Sequence, residues 1–277
     1  MKEIYSKDNQ HYKLYQKLES KKYRDKFGLY LIEGENLIEE AYKNGARIES
    51  VMVRADMTGR LVKPWLDGAD VFSADGKLFD SLAQTKTSQG ILAAVRKPDL
   101  SLNDFPNGSS NDFPESDSAG NFVVLDRLQD PGNIGTIIRT ADAAGYGLVI
   151  AMKGTADVFS PKVGRAAAGS LFRMKIAFAD NEEELVRFIK AAGKKLVATS
   201  LTGSRYYCEE DLSSDIALVI GNEGGGVSES LAERSDLKIK IPMEGNIESL
   251  NASVAAALIM YESIRPRYAA GQQTGQR

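Results

Sequence analysis

Hydrophobic residues in the second half of this chain fall into short unbroken runs: FVVLD (122–126), GLVIAM (147–152), MKIAF (174–178), KLVATS (195–200), IALVIG (216–221) and LKIKI (237–241). Continuous apolar runs of this length fit strands of a parallel sheet covered on both faces. Between them the pattern takes a helical period, near 133–144, 161–168, 181–192, 228–235 and 249–264. The first half alternates in the same way. A helical pattern covers about 9–26, with Gly28 as its stop. Then come a strand at 29–33, a helix at 35–44 closed by Gly45, and a strand at 48–53. A helix around Leu61–Leu66, a strand at 70–73, a helix at 77–84 and a strand at 91–95 complete this part. Both halves are predicted to be α/β.

Between them lies PDLSLNDFPNGSSNDFPESDSAG (98–120), rich in Pro, Ser, Asn, Asp and Gly and without a period. It reads as a flexible acidic linker. The predicted domains are therefore 1–97 and 121–277.

The chain has 277 residues and a net charge of −3, unevenly spread: residues 1–97 carry +3, residues 98–120 carry −5 and the rest −1. Eight basic residues crowd into 1–27, interleaved with Tyr5, Tyr12, Tyr15, Tyr23 and Phe27. Cations beside aromatic rings suit phosphate contact and base stacking; an amphipathic helix with inward tyrosines is the alternative. No apolar run is long enough to span a membrane, and the N-terminus lacks the apolar core of a secretory signal.

There is one cysteine, Cys208, and one histidine, His11. An intrachain disulfide and a zinc site of several Cys and His ligands are excluded, and a reducing cytoplasm fits. Catalysis by a Ser-His-Asp or Cys-His set would have to use His11 in a lysine-rich N-terminus. The chemistry is left to Arg, Asn, Glu, Ser, backbone groups or a cofactor.

Open α/β sheets bind ligands beyond the carboxyl ends of their strands, so the loops after Asp126, Ser200, Gly221 and Ile241 matter most. In DRLQDPGNIGTIIRTADAAG (126–145), Asn133 stands where a helix N-cap belongs, and Arg139 follows about 120° round the helix. Arg139 is either a surface arginine of an amphipathic helix or a functional cation. In LVIGNEGGGVSESL (218–231), Glu223 follows a strand end and three glycines can approach a ligand or simply form a mobile turn. The loop is neither a Walker A sequence nor the GxGxxG of a dinucleotide-binding fold. In IPMEGNIESLNASVAAALIMYE (241–262), Ser249 is the expected helix cap, with Asn251 and Ser253 in the first turn.

Taken together, N-x-G-x-x-x-R at 133–139, G-N-E-G-x-G at 221–226 and I-P-M-x-G-x-x-x-S-L-N at 241–251 resemble the SpoU-type (TrmH-like) RNA 2′-O-ribose methyltransferases of the SPOUT superfamily. YLIEGENLIEEA (30–41) is similar to the ribosomal-protein-like substrate-binding domain that often precedes them. Asn36 stands where such domains often have arginine, and Ala167, in GRAAAG, where many members have serine.

The resemblance implies a deep trefoil knot in 121–277, a homodimer, and S-adenosylmethionine bound without a metal. It implies a cofactor site at Thr199, Ser200, Leu201, Gly221, Asn222, Gly224, Ile241, Pro242, Met243, Ser249 and Leu250. Arg139 would orient the ribose 2′-hydroxyl and adjacent phosphate, with Asn133, Glu223, Ser249 and Asn251 holding Arg139 and the ribose. RNA would meet Lys17, Lys21, Lys22, Arg24 and Arg165. The implied substrate is ribosomal RNA, with transfer RNA as the alternative target. A non-enzymatic RNA-binding or ribosome-assembly factor on the same fold is the alternative of another class; affinity for S-adenosylmethionine separates it from an enzyme.

Overall fold

The computed structural model describes residues 1–60, 68–85, 87–98, 100–105, 120–200 and 205–269. In chain order the elements are β1 (Lys2–Ile4), α1 (Gln10–Lys17), α2 (Lys21–Phe27), β2 (Leu29–Glu33), α3 (Glu35–Lys43), β3 (Ile48–Arg54), β4 (Asp70–Ala74), α4 (Gly76–Asp80) and β5 (Ile91–Arg96). Then follow β6 (Phe122–Asp126), α5 (Pro131–Ala143), β7 (Leu148–Met152), α6 (Pro161–Ala167), α7 (Ser170–Arg173), β8 (Lys175–Ala179) and α8 (Glu182–Ala191). The last are β9 (Lys195–Thr199), β10 (Arg205–Tyr206), β11 (Ile216–Gly221), α9 (Glu229–Glu233), β12 (Leu237–Lys240) and α10 (Ala252–Ala269). The helix expected around Leu61–Leu66 lies outside the described residues.

Contacts divide the chain into one unit of Met1–Asp99 with Phe159–Arg173 and a second of Leu100–Val158 with Met174–Arg277. The segment holding α6 and α7, expected with the second domain, thus groups with the first.

The first unit is built on a mixed five-stranded sheet of order β1-β4-β3-β5-β2. The helical pattern expected over 9–26 is broken into α1 and α2 by a turn at Leu18–Ser20. The reason is Arg24. It is only 4% exposed, and its guanidinium donates to the carbonyls of Leu18 (2.6 Å) and Glu19 (2.8 Å) at the end of α1. A cation there satisfies carbonyls that the helix leaves open and complements its dipole. Arg24 is therefore a structural cap and not an RNA contact, which corrects the expectation for it. Tyr12 and Tyr15 also point inward, bonding Ser81 (2.6 Å) and Ser50 (3.0 Å). Lys17 and Lys22 stay outside, each about 5.7 to 5.8 Å from the Tyr23 ring centre. Gly28, at φ +60°, ends α2 as expected.

The second unit carries a seven-stranded sheet of order β10-β12-β9-β11-β6-β7-β8, with every pairing parallel. β6, β7 and β11 are buried along their whole lengths, which is why their sequences do not alternate. Part of the expected linker belongs to this core. Asp104 accepts from the backbone N–H (2.7 Å) and hydroxyl (3.0 Å) of Ser101, and this cap turns Leu102 and Phe105 onto Phe122 and its neighbours. Residues 106–119 lie outside the described residues. Among the described residues no helix is long and apolar enough to cross a membrane.

Replacing Arg24 by Ala leaves two inner carbonyls without a donor. We expect a loss of about 2–3 kcal/mol in urea unfolding, with the salt dependence of RNA binding by the folded protein unchanged.

Candidate active site

Four neighbouring parallel strands, β12-β9-β11-β6, end on the same edge of the second sheet. The chain runs outward through β6, β7 and β8, then jumps back to β9 on the other side of β11. Such a reversal leaves a crevice beyond the strand ends. Thr199, Gly221 and Asp126 end their strands at this edge, and β12 leads directly into the loop 241–251.

The loop after β6 is set by Asp130, not by Asn133. The Asp130 carboxylate caps α5, accepting from the N–H groups of Gly132 and Asn133, with Pro131 at the first helical position. An Asp-Pro pair is itself a helix-start signal, so the misplaced cap was legible in the sequence. The side chain of Asn133 is thereby released to face inward, 8% exposed.

Asn133 joins the three loops. Its Nδ2 donates to Glu223 Oε1 (3.0 Å), and its Oδ1 accepts from Nδ2 of Asn251 (2.9 Å). Asn251 Oδ1 in turn accepts from the Ser253 N–H (2.9 Å), the Ser253 hydroxyl (2.7 Å) and the Val254 N–H (3.3 Å). Asn251, not Ser249, therefore caps α10; Ser249 is exposed and makes no hydrogen bond with a described residue. The polarity of the chain is forced. A carboxylate only accepts, so each amide must turn its NH2 toward Glu223 and its oxygen away. Glu223 also takes the N–H groups of Gln129 (3.0 Å) and Asp130 (3.0 Å). Burial pushes its pKa up, but the donors from Asn133, Gln129 and Asp130 outweigh that and hold it below its ordinary value of 4.5. Glu223 is a fixed anion and no proton donor at neutral pH.

The glycine-rich loop is a closed turn. Asn222 and Gly226 exchange backbone hydrogen bonds at 2.9 and 2.8 Å, and Asn222 Oδ1 accepts from the N–H groups of Gly224 (2.9 Å) and Gly225 (3.1 Å). Gly226 needs φ +66° to close it. A Cβ at Gly221 would stand 2.0 Å from the nitrogen of Val227, so only glycine fits there. The expected cofactor contact Gly224 has its N–H committed inside this turn.

Asp126 and Arg127 were not singled out from the sequence. Asp126, 2% exposed, accepts from Arg127 Nε (2.9 Å) and from the N–H of Ser228 (2.7 Å), tying β6 to the far side of the turn. Arg127 sits at φ +56°, and its carbonyl receives both Gln129 Nε2 and Asn222 Nδ2 at 2.9 Å. The one signal was an acid ending an apolar strand. A cleft of about 520 Å³ beside Arg127 and Asn222 is lined by groups already paired in this way.

Arg139 lies two turns along α5 on its exposed face and makes no hydrogen bond or ion pair with a described residue. Asn133, Glu223 and Asn251 hold one another and do not hold Arg139, which corrects that expectation.

Of the expected cofactor residues, Thr199 donates its hydroxyl to the Val219 carbonyl (3.1 Å), and the Ser200 N–H bonds the Ile239 carbonyl (2.9 Å). Ile241, Met243 and Leu250 are half-buried, Pro242 is exposed, and Leu201 lies outside the described residues. Among the described residues the backbone from Pro242 to Leu250 finds no hydrogen-bond partner. This backbone, beside the half-buried side chains of Ile241, Met243 and Leu250, offers N–H and C=O groups to a flat nitrogenous ring read by its edge. These residues therefore fit the adenosyl group of S-adenosylmethionine. Among the described residues no cluster of three or more His, Cys, Asp or Glu stands ready for a metal.

A parallel α/β sheet with three loops hydrogen-bonded to one another beyond its strand ends is the arrangement in which open α/β proteins bind ligands. Residues 120–261 match the SpoU rRNA Methylase family, and residues 9–93 match the MRM3-like substrate binding domain. The 23S rRNA (guanosine(2553)-2'-O)-methyltransferase RlmP of Bacillus subtilis is 37% identical over 94% of this chain and 98% of its own. An AdoMet-bound rRNA methyltransferase from Sinorhizobium meliloti superposes with a TM-score of 0.83 at 31% identity, over 96% of this chain and 98% of that one. AviRb from Streptomyces viridochromogenes, also with AdoMet, gives 0.82 at 28%, over 94% and 99%. The chain belongs to the SpoU rRNA methylase family and is an S-adenosylmethionine-dependent RNA methyltransferase.

The depressed pKa of Glu223 contributes stability above about pH 4.5 that is lost as pH falls through its lower folded value. Glu223→Gln is expected to flatten that part of the acid limb in thermal unfolding scans between pH 3 and 7.

Proposed function

We propose that this protein methylates a ribose 2′-hydroxyl of ribosomal RNA, in the cytoplasm, as a homodimer. The observation that carries the reading is the chain Glu223–Asn133–Asn251, which draws three separate loops into one edge. The B. subtilis relative acts on 23S rRNA, and a substrate-binding domain precedes the catalytic one in both the family match and this sequence. That favours ribosomal over transfer RNA.

S-adenosylmethionine, when bound, supplies an electrophilic methyl group. The open backbone of 242–250, with Ile241, Met243 and Leu250, holds the adenosyl end, and Thr199, Ser200 and Gly221 form the strand ends beneath. Arg139 orients the phosphate and sugar of the target nucleotide. Its guanidinium presents a planar fork and is not tied to a carboxylate among the described residues. A guanidinium without such a partner can pair directly with an incoming phosphodiester. Accurate placement of the 2′-hydroxyl supplies much of the rate in such a displacement. Ser249, exposed and unbonded, is a second candidate for the ribose. Lys17, Lys21, Lys22 and Arg165 contribute to RNA affinity from the first unit; Arg165 is exposed and donates to Gln84 (3.2 Å).

The C-terminal segment forms the trefoil knot. In support, β12 lies beyond β9 and β11, yet the loop that follows it returns across both to set Asn251 against Asn133 beside β6. The dimer forms on α10. Val254, Leu258, Tyr261 and Tyr268 are 48%, 41%, 51% and 63% exposed and follow one face of that helix. The single cysteine, exposed and unpaired, suits a reducing compartment.

Arg139→Ala should lower turnover on unmodified rRNA by at least 100-fold while calorimetry shows S-adenosylmethionine binding within a factor of two of the parent; normal turnover refutes the role. Leu258→Glu combined with Tyr261→Glu should sediment as a monomer at micromolar concentration, and an unchanged dimer would place the interface elsewhere.

A further inference from the structure

We propose that the cleft at the amino-terminal edge of the second unit's sheet is a separate contact site for the phosphate backbone of the RNA substrate. The proposal rests on the RNA methyltransferase reading above. The cleft encloses about 820 Å³ and opens at the start of β9 and β12, the opposite end of the strands from the loops just described. β9 has five residues, so the two edges are about 13 Å apart.

Lys190 at the end of α8, Lys195 at the start of β9 and Lys238 on β12 line this cleft. None of the three side chains makes a hydrogen bond or a close ion pair with a described residue, though Lys195 lies within electrostatic reach of Asp211. The acids nearby are already engaged. Glu210 pairs with Arg205 at 3.0 Å, and Asp236 accepts from the Leu196 N–H at 2.8 Å. The floor is Lys194, 4% exposed, with its ammonium 4.6 Å from the Phe122 ring centre and 3.7 Å from Asp215. Five cations, Lys190, Lys194, Lys195, Arg205 and Lys238, line this concave surface against two carboxylates, Glu210 and Asp236, a local excess of positive charge on a chain whose net charge is −3. The dipole of α8 accounts for a lysine at 190 but not for those at 195 and 238, which come from strands.

The chemistry favours a polyphosphate chain over a single nucleotide. Lysines are flexible point charges that bind phosphate without demanding one geometry. The cleft offers no glycine-rich turn for a diphosphate.

The test uses the full-length protein with Lys190→Gln, Lys195→Gln and Lys238→Gln combined, and unmodified 23S rRNA as probe. Affinity is measured between 50 and 300 mM KCl. We expect affinity to fall at least ten-fold and the slope of log K against log salt to flatten by about two, from ~0.7 per lost contact. KM for RNA should rise with kcat and S-adenosylmethionine binding unchanged. The corresponding triple Lys→Arg protein, which keeps the charge, should regain parent affinity. An unchanged slope and KM in the Gln protein overturns the proposal. So does protection of Lys195 from acetylation by ATP but not by rRNA, which would mark a nucleotide site. If the parent protein binds rRNA with the expected slope change but never methylates it, the enzyme reading falls and the cleft stands.

Discussion

One neutral side chain holds the reactive edge together. Asn133 donates one hydrogen bond to Glu223 and accepts one from Asn251, so a single amide links a carboxylate to a second amide. Its partners lie 90 and 118 positions away in the chain. This amide thus ties the Gly-rich turn to the start of α10. The direction of donation runs from the N–H groups of α10 through two amides to a carboxylate, so each bond polarises the next. The negative charge of Glu223 is felt at the N-terminus of α10, where helix polarity welcomes it.

The same arrangement separates two tasks. Polar groups that shape the edge are satisfied by one another, and Asp126, Asn222 and Gln129 extend that closed network around the turn. The groups without a hydrogen-bond partner among the described residues are the backbone of 242–250, the Ser249 hydroxyl and the guanidinium of Arg139. A committed arginine would have to break an ion pair before it met a phosphate. Arg139 has none to break, so its attraction for an incoming anion is undiminished by an internal partner.

Arg24 and Arg139 show how little an arginine's position in a helical pattern says about its use. Both sit in helices, yet one is buried on two carbonyls and the other is exposed with no partner among the described residues. The difference is whether a neighbouring helix ends within reach of the guanidinium. The break at Leu18–Ser20 that decides this for Arg24 carries no proline or glycine. In the same way the acidic stretch after Pro98 reads as linker by composition, while Leu102 and Phe105 are taken up by the core once Asp104 caps the turn.

Most strands and helices (though not the short edge strands β1 and β10), the parallel character of the second sheet and the three loops joined through Asn133 were legible in the sequence. Each is a local property: burial on both faces removes alternation from a strand, and strand ends followed by Gly, Asn and Pro mark turns. The sequence also contained the cap Asp130-Pro131, though its weight against Asn133 was clear only once both were seen in place. The tertiary structure alone decided which loops meet, which amide points which way, which arginine lies exposed and where lysines from α8, β9 and β12 gather. These depend on contacts between residues far apart in the chain, and a linear pattern carries no record of the distances between them.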